Sequence, residues 1–63
     1  MKLKNMKFTA IASVGYETKG IRVFATEKAV SNYAKRMYRK YGDELAVTVY
    51  EFGTDKIITT YHA

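Results

Sequence analysis

Cysteine, proline and tryptophan are absent from this chain of 63 residues, and there is one histidine, His62. Without cysteine no disulfide can brace the fold and no thiolate can hold a metal. A metal site would have to rest on carboxylates, and the six acidic residues are scattered without the spacing of a calcium loop. No metal and no cofactor is therefore expected. No apolar run approaches the ~20 residues of a membrane-spanning helix. The basic start, Met1 to Lys7, is not followed by an apolar segment of the signal-peptide kind. No membrane association is expected, and the lack of cysteine adds to an expectation of the cytoplasm.

The means of chemistry are equally sparse. His62 stands beside Tyr61 at the end of the chain, where a lone histidine is a frayed terminus more often than a catalyst. Ser13 and Ser31 sit in no motif, and the four glycines form no phosphate-cradling run. No nucleophile, base and acid can be assembled, so no enzyme is expected. Function is expected to lie in binding.

What the sequence does hold is aromatic and basic. Six tyrosines and three phenylalanines are too many for a disordered chain of this length. The formal charge is +5, and +4 of it lies in one stretch. From Thr26 to Gly42, Lys28, Lys35, Arg36, Arg39 and Lys40 oppose Glu27 alone.

Periodicity divides the chain into a basic flexible lead-in over 1–6 and one domain over 7–62. Met6 offers an alternative translation start to Met1. Phe8, Ala10, Ala12, Val14 and Tyr16 alternate with Thr9, Ile11, Ser13 and Gly15, which predicts a strand with one buried face. Glu17 to Gly20 reads as a turn, and Ile21, Val23 and Ala25 resume the alternation with Arg22 and Phe24 on the other face. Thr26 is a good N-cap, Glu27 suits the first turn, and Val30, Tyr33, Ala34, Met37 and Tyr41 recur at helical steps up to Gly42. A third strand follows through Leu45, Val47 and Val49, then a turn at Gly53 to Asp55, then a fourth strand over Lys56 to Tyr61. The expected class is α+β, a ββαββ two-layer domain with one amphipathic helix packed on a mainly antiparallel four-stranded sheet. Phe8, Ala10, Val14, Val23, Val47, Val49 and Ile57 are expected to face the helix.

Two surfaces stand out. On the helix, Lys28, Asn32, Lys35 and Arg39 fall within an arc of about 60° opposite the apolar stripe, at about 100° per residue, with Arg36 beside them. Such a stripe could neutralise successive phosphates or meet an acidic protein, with Asn32 placed to read a base edge. The plainer explanation is a solvated helix face, although solvated faces usually mix both signs. The second surface is the uncovered sheet face, where alternation places Arg22, Phe24, Tyr50, Phe52 and Ile58, with Thr48, Lys56 and Thr60 among them. Aromatics interleaved with cations suit a protein interface, the seam of a homodimer, or stacked nucleic-acid bases. The plainer explanation there is scattered surface aromatics without consequence.

In general style, a short Lys- and Tyr-rich chain without Cys, Pro or Trp is similar to the small accessory proteins of phages and mobile elements. That likeness is one of composition and implies a regulator that binds a protein of its host. A protein partner is the leading expectation, from the small size and the lack of any nucleic-acid motif, and nucleic acid bound through the basic helix face is the alternative. Met37 lies at the centre of the apolar helix stripe. Met37→Asp is expected to cost more than about 2 kcal/mol, because it places a carboxylate in the core. Denaturant unfolding checks this, and a variant that unfolds like the parent would place the stripe elsewhere.

Overall fold

A computed structural model describes residues 5–62. The first four residues of the expected lead-in over 1–6 lie outside the described residues. The chain runs β1 (Phe8–Val14), β2 (Glu17–Phe24), α1 (Glu27–Tyr41), a single 3₁₀ turn, β3 (Leu45–Glu51) and β4 (Ile57–His62). This is the expected ββαββ order. All three strand pairings are antiparallel, and the sheet order is β2-β1-β3-β4. β2 and β3 therefore run parallel on either side of β1, and α1 carries the chain from one to the other across a single face of the sheet.

The helix ends as its sequence directs. Thr26 is extended, and its Oγ1 accepts from the Ala29 N–H at 3.2 Å. Glu27 faces the positive end of the helix dipole, and Arg39 and Lys40 lie in the last turn at the negative end. Gly42 stops the helix with its N–H donating to the Tyr38 carbonyl. Its φ of 79° with ψ of −159° lies in backbone space open to glycine alone.

The core lies between α1 and the two central strands. Val30, Tyr33 and Ala34 of the helix meet Ala10 and Ala12 of β1 and Leu45, Val47 and Val49 of β3, all buried. Phe8, Val14, Met37, Tyr41 and Tyr61 close its margin. Of the expected helix stripe, Val30, Tyr33 and Ala34 are thus buried, while Met37 and Tyr41 lie partly buried at the margin. Alanine at positions 10 and 12 leaves room for large side chains from the helix, and Tyr33 uses it.

The two edge strands depart from the expected alternation, each for a local reason. The first turn is not Glu17 to Gly20 but Gly15–Tyr16. Val14 pairs with Glu17, and Gly15 has φ of 61° while Tyr16 does not. A two-residue hairpin with glycine first is the pattern of a II′ turn. Regular pairing from there would set Lys19 opposite Ala12 and bring Ile21 and Val23 under the helix. Instead the register shifts by one residue: Ser13 pairs with Thr18, and Ala12 pairs with Gly20. This β-bulge turns the strand over. Gly20, Arg22 and Phe24 now share the face of Ala12, Ala10 and Phe8. The expected placement of Val23 inward, and of Arg22 and Phe24 on the open face, is corrected accordingly.

A second shift lies between Val49 and Tyr50 on the β3–β4 ladder, where Val49 pairs with Thr59 but Tyr50 with Ile57. Ile57, expected inward, is turned to the side of Tyr50 and stands 57% exposed. Ile58, expected on the open face, occupies the bulge and lines a shallow hollow with Phe8, Glu27 and Val30 beside the start of α1.

Gly20 shows why the covered face takes this register. A Cβ at position 20 would stand 2.6 Å from the Tyr33 hydroxyl. Only glycine lets the tyrosine lie against β2, and Phe24 completes the contact with its ring centroid 5.3 Å from that of Tyr33. Gly20→Ala is expected to destabilise by about 1–3 kcal/mol through overpacking. Tyr33→Phe removes the clashing oxygen, so the double variant should lose clearly less than the two single losses added together. Chemical denaturation of the four proteins measures the coupling, and strict additivity would show that the two residues do not meet.

Candidate interaction surfaces

The basic stripe forms as the helical spacing requires. Lys28, Asn32, Lys35, Arg36 and Arg39 are all exposed, on the side of α1 away from Val30, Tyr33 and Ala34. None of the four cations has an ion-pair partner among the described residues. The salt bridge found there joins Lys19 Nζ to Glu17 Oε1 at 2.7 Å on β2, which holds the Glu17 carboxyl below its ordinary range and the Lys19 amine above its own. Lys19 and Lys40 also approach the Tyr41 ring, at 5.9 and 5.4 Å from its centroid. These contacts tie two neighbouring cations to the flank of the helix and leave the outer stripe untethered.

The open sheet face differs from its expected composition. Of the residues assigned to it, Tyr50 is there, half-buried, between Thr9 and Ile57. Arg22 and Phe24 are on the helix side. Burial pushes the Tyr33 hydroxyl above the usual tyrosine range, and the Arg22 charge opposes that shift, which places Arg22 near Tyr33. Phe52 lies past the end of β3, half-buried, with its N–H donating to the Lys7 carbonyl at 3.0 Å. Ile58 sits in the β4 bulge. A platform of aromatics and cations for stacking bases is thus not assembled on this face, because β2 presents its opposite side there.

Three cross-strand rows make up the open face. Ile21, Ile11, Thr48 and Thr60 form one; Val23, Thr9, Tyr50 and Ile57 form the next; Thr18, Ser13, Ala46 and His62 form the third. No Lys, Arg, Asp or Glu occupies any of these positions. Ile21, Val23 and Ile57 are 61%, 37% and 57% exposed. The β3–β4 turn bounds this face, where Gly53, Thr54 and Asp55 enclose an open hollow with Thr9, Ile11 and Tyr50. Sequence reasoning placed Ile11 on this face but missed Ile21, Val23 and Ile57 as surface residues. Two signals pointed to Ile21 and Val23: the Gly-X pair at Gly15–Tyr16, and a glycine inside a strand, which marks a bulge or a close approach.

Among the described residues no group of three or more His, Asp or Glu side chains converges as a metal site would require. No helix there is long and apolar enough to cross a membrane. Comparison with known proteins finds no matching family model, no matching curated protein and no matching solved structure.

Proposed function

We propose that this chain is a small non-enzymatic regulatory protein that acts by stoichiometric binding to another protein, in the manner of a phage or mobile-element modulator of a host protein. Its contact is the outer face of α1, and the partner presents an acidic surface to it. The observation that carries this reading is the stripe of Lys28, Lys35, Arg36 and Arg39, exposed, of one sign and free of ion pairs among the described residues. Such charges need no desolvated internal partner to be surrendered on binding, and they steer an acidic partner from a distance. A helix packed along one side on a sheet also offers its outer face with little ordering cost.

A second reading, in which the acidic partner is nucleic acid, is favoured by the spacing of the stripe. Lys28, Lys35 and Arg39 recur along one side of the helix with Asn32 between them, a row suited to successive phosphates and one base edge.

Affinity capture from an extract of the source cells, with and without nuclease, separates the two. The protein reading expects one discrete partner that survives nuclease and is lost by the Lys35→Glu, Arg39→Glu variant. Both substitutions are on exposed positions, so the variant should keep the fold, with a loss below about 1 kcal/mol from the helix dipole. A partner that the variant still holds would remove the stripe as the contact. The nucleic-acid reading expects binding whose logarithmic salt slope is roughly 3 to 4 for three or four neutralised phosphates. Titration of duplex DNA, single-stranded DNA and RNA at several salt concentrations checks it. Affinity weaker than about 10⁻⁴ M for all three would end that reading.

A further inference from the structure

We propose that the uncharged face of the sheet is closed by the same face of a second copy, giving a symmetric dimer with two sheets in contact and the two α1 helices outermost. The surface is separate from the stripe on α1, and the dimer does not rest on the reading of that stripe.

The bulge on β2 carries the inference, and β4 adds an isoleucine to the same face. Regular pairing would put Ile21 and Val23 against α1; the shift at Ala12 and Ser13 puts them on the open side. On β4 the shift at Val49 and Tyr50 sets Ile57 opposite Tyr50, where regular pairing would set Ile58, so an isoleucine stands on the open side in either register. Bulges commonly re-aim side chains. Here the β2 bulge re-aims Ile21 and Val23 toward solvent, which costs hydrophobic free energy in a single copy and returns it when the face is covered. The core that remains beneath α1 is small, with eight buried residues of which three are alanine. Chains of this size commonly complete such a core by association.

Charge then selects the occupant. Each copy carries +5, so two copies repel except where both are uncharged. The three rows through Ile11, Tyr50 and their neighbours hold no Lys, Arg, Asp or Glu, and joining them sets the two basic helices on opposite outer surfaces. Area is sufficient for a modest interface. Four strands at ~4.8 Å spacing and about seven residues at ~3.3 Å give a footprint of roughly 400 Å² per copy. Side-chain relief lifts the accessible area buried by the pair toward the ~1,000 Å² at which specific interfaces begin. That size fits a dissociation constant in the micromolar range, about 1–100 μM, rather than a permanent dimer.

Sedimentation equilibrium of the full chain, from low micromolar to near-millimolar, tests this. The mass should rise from one copy to two, and added salt should leave the transition in place or sharpen it. Ile21→Lys with Ile57→Lys should stay monomeric throughout while keeping the far-ultraviolet dichroism of the parent, since both side chains are already exposed. Lys35→Glu with Arg39→Glu should dimerise as the parent does. A parent that stays monomeric near one millimolar overturns the proposal, as does a doubly lysine-substituted variant that dimerises unchanged. If that variant fails to fold, isotope-filtered NMR on a mixture of labelled and unlabelled parent gives the answer. Intermolecular contacts from the Ile21 and Ile57 methyls support the dimer, and contacts confined to the helix side overturn it.

Discussion

Tyr33 lying against the backbone of Gly20 is the contact on which the rest of the structure turns. The ring is the largest side chain in the buried core, and its oxygen occupies the space a Cβ at position 20 would fill. Packing of this kind admits one register of β2 under the helix and rejects the register one residue away, which would set Ile21 in the neighbouring position. The bulge at Ala12 and Ser13 supplies that register. Phe24 then packs against Tyr33 with its ring tilted, Arg22 shares that face of β2, and Ile21 and Val23 are delivered to the far side of the sheet. A single steric constraint on the covered face thus decides what the uncovered face shows.

The two outward surfaces that result have opposite character. One is the outer stripe of α1, cationic and without ion pairs among the described residues. The other is the open sheet, apolar or hydroxylic and uncharged. Separation of this kind lets each surface take a different partner without interference. On the proposals above, long-range charge would bring an acidic partner to the helix, and short-range apolar packing would join a like copy at the sheet. In the proposed dimer the stripes would face away from each other, so each dimer would present two of them, and a partner with repeated acidic sites would gain from both at once.

The helix was legible in the sequence almost to the residue, because its signals are local and agree. Thr26, Glu27, the apolar steps from Val30 to Tyr41, and Gly42 all direct the same element over Glu27–Tyr41. The number and order of the strands were legible for the same reason, as was the exposure of Lys28, Asn32, Lys35, Arg36 and Arg39. The faces of β2 and β4 were not. Alternation fixes a face only from a known starting residue, and one extra residue in the ladder inverts everything beyond it. Lys19 is such a residue, and the reason for it lies far along the chain in Tyr33. Central strands β1 and β3 have no such interruption within their shared ladder, and there the inward set of Phe8, Ala10, Val14, Val47 and Val49 held.

Nuclear Overhauser contacts to the Tyr33 ring test the register of β2 most directly. Cross-peaks from that ring to the Gly20 α-protons and to the Phe24 ring, with none to the Ile21 or Val23 methyls, are the expected result. Strong contacts from Tyr33 to Ile21 and Val23 would mean that β2 pairs without its bulge, that those residues are core, and that the open face carries Arg22 and Phe24 instead.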